Sequence, residues 1–348
     1  LTGFAARLAD IQLMPLKTEH DPDTTRKDHP IVEIWNKTFQ ILREANPLRI
    51  SEELFKCIGF IGESTQVGLP ITEADDLLAT GFFVAVPVSS CELPGRFWTY
   101  FVTARHVAKD LESRKIVFVV NKKGGGVALF NAIHGNKWYL HPTDDTADVA
   151  IVPVSINDES DIRTIPIQNF ATIETLKELN IGVGDDIYTA GLFTPISSTT
   201  RIMPIVRSGN IAMMPGEQIQ TELGYADVYL VEARSIGGLS GSPVFVQPTI
   251  KLGLPSTHPH AKQLLAPGSG WLLLGLMHGH WDVKESEINE PSVTHDRKRG
   301  VNYGIAIVVP AYKISETINQ PGLIELRRSL EEIELKRQKP STDSTLTD

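Results

Sequence analysis

The stretch Gly238-Leu239-Ser240-Gly241-Ser242-Pro243 decides how this chain is read. A serine flanked by glycines sits where the backbone can turn sharply and aim amide N–H groups at one point. Two upstream segments make sense beside it: Thr103-Ala104-Arg105-His106 and Asp148-Val149-Ala150-Ile151. In chain order they supply a histidine, an aspartate and a serine. A serine hydroxyl is a poor nucleophile at neutral pH and needs an adjacent base. Histidine suits that role, with an unperturbed pKa near ~6.5. A carboxylate then fixes the imidazole tautomer and stabilises the imidazolium as it forms. Each string is weak alone, but three in this order form a coherent set. Asp144 and Asp145 compete with Asp148, yet only Asp148 directly precedes a Val-Ala-Ile run that reads as a buried strand.

The sequence around these segments is one of short strands rich in Val, Ile, Phe and Tyr, separated by turn residues. Strands are expected at 57–61, 81–88, 98–103, 116–121, 127–131, 138–141 and 149–154. A second series is expected at 186–191, 201–206, 210–214, 228–232, 243–246, 271–277 and 304–309. Such repetition predicts an all-β barrel or sandwich fold. Lys122 to Gly126 reads as a hairpin turn; no Gly-Lys-[Ser/Thr] and no helix follow its glycines, so a phosphate cradle is a poor reading. Short helices are expected over 107–112 and 173–179. Apolar residues Ile31, Ile34, Trp35, Ile41 and Leu42 recur at helical spacing after Pro30, and Pro321 to Arg337 reads as a second amphipathic helix. The latter has too few heptads for a coiled coil and is read as packed on the β core. Two long loops, 247–270 and 282–300, could shape specificity or act as a lid, and 340–348 reads as a polar tail.

The three segments resemble the trypsin/chymotrypsin-like serine peptidase family, especially its bacterial, disulfide-free branch typified by HtrA protease domains. Thr103 to His106 is similar to the family's T-A-x-H, Asp148 to Ile151 to its D-[IVL]-A-[ILV], and Gly238 to Pro243 to its G-x-S-G-[GS]-P. Weaker matches are Gly81-Phe82-Phe83-Val84, Leu274-Gly275-Leu276 and Tyr303 to Ile307. The resemblance implies two antiparallel six-stranded β-barrels, chymotrypsin-like, with flanking N- and C-terminal helices. It divides the chain into an N-terminal extension (1–52), a first barrel (53–160), a second barrel (161–319) and a C-terminal helix and tail (320–348). It also implies the amides of Gly238 and Ser240 as an oxyanion hole. Arg234 would floor the pocket for the side chain before the cut bond, though an ion pair or solvent contact is the plainer reading. Leu239 replaces an aspartate that animal digestive members pair with a new N-terminus, so activation of that kind is not expected. The chain after the last strand is too short for a PDZ domain.

His278 and His280 follow a strand expected to line the same pocket and are candidate substrate contacts. With His258 and His260 they could suggest zinc, but His-x-His spacing is non-specific and no cysteine or paired carboxylate completes a site. No metal or cofactor is expected. Net charge is −9 and lysine and arginine form no long block, so nucleic-acid binding is not expected. Two cysteines, Cys57 and Cys91, are too few for a disulfide-stapled secreted domain. No apolar run approaches the ~18 residues of a membrane span, and no signal pattern opens the sequence, so a cytoplasmic location is expected. The reading is therefore a regulated serine endopeptidase acting on protein or peptide substrates, with an activating partner protein as a candidate switch. Its rival is a catalytically silent protease-fold binding or regulatory module.

Overall fold

The computed structural model describes residues 52–63, 77–90, 93, 95–132, 137–193, 201–221, 223–233, 238–247, 271–284 and 300–338. The helix expected over 30–45, most of both long loops, and Cys91, Arg234, His258 and His260 lie outside them.

The chain opens with helix α1 (Glu52–Phe55), then strands β1 (Ile58–Glu63), β2 (Leu77–Pro87) and β3 (Phe97–Thr103). Helix α2 (Arg105–Asp110) follows directly, then β4 (Ile116–Asn121), β5 (Val127–Phe130), β6 (Tyr139–Leu140), β7 (Ala150–Pro153) and β8 (Ile165–Pro166). These eight strands form one sheet, ordered β5-β4-β1-β2-β3-β7-β6, with β8 added in parallel to β2. Among the described residues this ladder runs as a path rather than a ring. Its inner face is aromatic: the Phe83 and Phe101 rings meet edge-on at 5.1 Å, and Phe101 and Phe118 at 4.4 Å. Such geometries add to the area that these rings bury.

Helix α3 (Ile173–Glu178) leads into β9 (Asp186–Gly191), β10 (Ile205–Met213), the hairpin β11 (Ile219–Thr221) and β12 (Gly224–Ala226), β13 (Tyr229–Glu232), β14 (Pro243–Val246), β15 (Leu272–Lys284) and β16 (Gly300–Pro310). The strands β10-β13-β16-β15-β14-β9 close into an antiparallel barrel. The expected all-β class is thus present, and closure removes the exposed edges that an open sheet leaves. Leu239, Ile211, Val231 and Leu274 fill the barrel interior. Thr172 caps α3, its hydroxyl accepting the Thr175 amide.

The short strand β8 and the hairpin β11–β12 were not expected, and two larger details also differ from the sequence reading. The strands expected at 201–206 and 210–214 are one strand, β10, because Ser208 and Gly209 continue the ladder opposite Tyr188 and Ile187. Gly209 fits there because a Cβ would meet the Glu232 carbonyl at 1.9 Å. A separate helix α4 (Ala311–Ile318) was not expected; it precedes α5 (Pro321–Gln338). Ala311, Ile314 and Ile318 of α4 and Leu323 of α5 are fully buried in a core that joins first-sheet residues such as Ile151 and Val152 to the barrel residues Phe245, Leu273 and Leu276. Arg327 of α5 donates to the Tyr100 hydroxyl and the Ile318 carbonyl, and Trp98 Nε1 donates to Glu331. The C-terminal helices therefore strap back onto the N-terminal half.

Candidate active site

Register explains how His106 and Asp148 meet. Strands β3 and β7 are antiparallel, with Thr103 opposite Ala150. His106 lies three residues beyond the end of β3 and Asp148 two before the start of β7, so both emerge at the same edge. There the His106 amide donates to Asp148 Oδ1 at 2.9 Å, and His106 Nδ1 lies 2.7 Å from Asp148 Oδ2. The Asp148 side chain is 1% exposed, that of His106 35%. Burial pushes the Asp148 carboxyl up, but bonds from His106 and His278, and their charge, more than offset it and hold it well below the usual carboxylate range.

The loop before Asp148 is fastened by charge. Arg105 donates to the Asp145 carbonyl and carboxylate, Lys313 of α4 pairs with Asp144 at 2.8 Å, and His141 Nε2 meets Glu316 at 2.8 Å. Asp144 also accepts from the amide and hydroxyl of Thr146. The competing carboxylates Asp144 and Asp145 are thus engaged elsewhere, and Asp148 is the one on His106.

Ser240 sits in the tight turn before β14. Ser242 N donates to the Leu239 carbonyl, Gly241 N to the Met277 carbonyl, and Met277 N to the Ser242 carbonyl. The turn is therefore laced to β15 by main chain. Gly238 and Gly241 adopt φ of +94° and +83°, the region that favours glycine. Gly241 also has no room for a side chain, since a Cβ would lie 2.3 Å from Thr103 Oγ1 and from the Thr80 carbonyl. The turn is thus pressed against β2 and β3 of the first sheet. Thr80 fastens it: its hydroxyl donates to the Gly238 carbonyl at 2.6 Å and accepts from the Leu192 amide, and its carbonyl takes the Thr103 hydroxyl. Thr80 escaped the sequence reading, since nothing marks a strand threonine as a tie to a turn 158 residues away.

Of the candidate substrate residues, Arg234 lies outside the described residues. His280 is half-buried on β15, opposite Ala306. His278 enters the cluster itself. Its Nδ1 lies 2.5 Å from Asp148 Oδ2, its ring meets the His106 ring edge-on at 5.4 Å, and its carbonyl accepts the Ser240 hydroxyl at 3.1 Å. The ligand-type atoms of His106, Asp148 and His278 all lie within 4.8 Å of one another. Ligands held at about 2.0–2.1 Å around one zinc would stand more than about 3 Å apart. At 2.5 and 2.7 Å the Asp148 oxygen is instead in direct N–H···O contact with both rings.

No protein-family model matches the chain, and no curated protein matches it. Among solved structures the chain is similar to the apo MamO protease domain from Magnetospirillum magneticum, with 14% identity over 76% of this chain and 96% of that one, and a TM-score of 0.44. It is also similar to the HtrA-type protease AlgW with a decapeptide, at 13% identity over 79% and 63% of the two chains, with a TM-score of 0.38. A third similar structure is Deg5, at 11% identity over 71% and 86%, with a TM-score of 0.36. No helix among the described residues is long and apolar enough to cross a membrane.

Proposed function

We propose that this chain is a serine endopeptidase that cleaves protein or peptide substrates through an acyl-enzyme. The observation that carries the reading is the link across the two halves: Asp148 holds His106, and the Ser240 hydroxyl rests on the residue whose ring shares that carboxylate. In the reaction His106 takes the Ser240 proton through Nε2 as Oγ attacks the scissile carbonyl. Asp148 keeps the proton on Nδ1 and steadies the imidazolium. His106 then gives its proton to the leaving amine, and water, activated by the same base, releases the acyl group. The Gly238 and Ser240 amides are assigned to the oxyanion, where losing one donor typically costs ~3–4 kcal/mol of barrier. Turnover by this route starts with the Ser240 hydroxyl rotating from the His278 carbonyl to His106. A regulated processing role fits that resting arrangement.

A fluorophosphonate probe tests the reading. It should modify Ser240 in the wild-type chain, and Ser240→Ala should abolish both labelling and casein cleavage while leaving the circular dichroism spectrum unchanged. Folded wild-type protein that neither labels nor cleaves would instead be the silent binding module.

A further inference from the structure

We propose that His278 is a positioning residue of this site: a second histidine on Asp148 that sets the pH range over which His106 acts as base. The inference rests on the hydrolase reading and adds a residue to it. An ionised carboxylate only accepts hydrogen bonds, so both ring nitrogens facing Asp148 Oδ2 must donate. Each neutral ring is thereby fixed with its proton on Nδ1 and its lone pair on Nε2. The two rings are not equivalent. The side chain of His278 is 12% exposed against 35% for His106. Ser240 meets His278 through the main-chain carbonyl rather than the ring, which leaves His106 as the base. The edge-on packing of the rings also lets His278 brace one side of His106.

One carboxylate oxygen shared between two donors offers each less than it would offer alone. The cation that develops on His106 is then stabilised less, and the base stays unprotonated to lower pH. Among the described residues, the other charged groups of α2 are Arg105, paired with Asp145, and Lys109 and Asp110, both exposed, while β15 carries Asp282 and Lys284 further along the strand. Asp144 is held by Lys313, and His141 by Glu316, while His280 lies two residues along β15. The Asp148 side-chain oxygens are reached by His106 and His278.

Two measurements on the full chain test this. Proton NMR should show two hydrogen-bonded imidazole N–H signals far downfield in the wild type and one in His278→Ala. The pH midpoint of fluorophosphonate labelling should rise by about one unit in His278→Ala, the size that one hydrogen bond to a charged group can supply. Labelling below the midpoint should then fall about tenfold. His278→Asn, which keeps a short N–H donor, should return the midpoint toward wild type and guards against an alanine variant that fails to fold. A chain that labels at Ser240 but whose midpoint stays put in His278→Ala overturns this inference alone. A wild-type chain showing both signals but never labelling overturns the hydrolase reading, and this inference with it.

Discussion

On the side of the site built by the first sheet, position is held by side chains and charge; on the barrel side it is held chiefly by main chain, with the uncharged Thr80 hydroxyl as an added tie. His106 and Asp148 are fixed by two bonds to one carboxylate, and the loop behind them by the Arg105–Asp145, Lys313–Asp144 and His141–Glu316 pairs. Ser240 is fixed by three main-chain bonds and by glycines with positive φ, while Leu239 is sunk in the barrel core. The difference suits the tasks. A base must respond to charge, and a carboxylate network is the means of tuning it. A nucleophile and its neighbouring amides must stay put while charge develops, and a closed barrel with a laced turn resists movement. Charge-changing substitutions should therefore act on the first side, and steric ones on the second.

The largest effect expected is from Asp148→Asn. It keeps the shape but reverses the hydrogen-bonding demand on His106, which then presents the wrong tautomer to Ser240. Labelling and cleavage should fall by about 10⁴-fold, close to 5 kcal/mol of barrier. Rates within tenfold of wild type would show that His106 does not depend on this carboxylate. Next is Gly241→Ala, a steric change on the barrel side. The added methyl meets the Thr80 carbonyl and the Thr103 hydroxyl and sits at an unfavourable φ. Strain and overpacking together should cost roughly 2–5 kcal/mol of stability, and labelling should drop with the turn displaced. Its pH midpoint should not move, since no charge is touched; a shifted midpoint would mean that the two sides are not separable.

The same contrast governs how much could be read from sequence. The all-β class, the order of most strands, and His106, Asp148 and Ser240 as candidates were legible because each rests on local chemistry: alternating β-branched and aromatic runs, a glycine-framed turn, an aspartate against a buried strand. Helix α4 was missed because Pro310 ends β16 and the helix follows at once, with no turn residues to announce it. The sequence divides the continuous strand β10 in two because Ser208 and Gly209 look like turn residues, and only the close Glu232 carbonyl explains the glycine. His278 was read as a substrate contact at a strand end; that its ring reaches Asp148 depends on how β15 runs past the first sheet. Tertiary ties of this kind, like Thr80 to Gly238, join residues too distant in sequence for any spacing to suggest them.

The smallest effect expected tests the charged side at a distance from the chemistry. Burial pushes the Asp144 carboxyl up, but Lys313 and the Thr146 donors more than offset it and hold it well below its ordinary value of 3.8. A carboxylate whose folded pKa is depressed contributes stability that is present above the unfolded value. That contribution is lost as the pH falls toward the folded value. Lys313→Met removes the charged partner while keeping the stem that lies on α4. At neutral pH it should lower stability by about 1 kcal/mol, the modest worth of a partly exposed pair. Labelling should slow only a few-fold, because Asp148 keeps its own bonds to His106 and His278. The stability gap between wild type and variant, read from urea midpoints, should then narrow steadily below about pH 4 as the unfolded chain takes up protons. A gap that stays constant from pH 7 to pH 3 would mean that the loop bearing Asp148 is held by packing instead, and that the charge on this side serves the base alone.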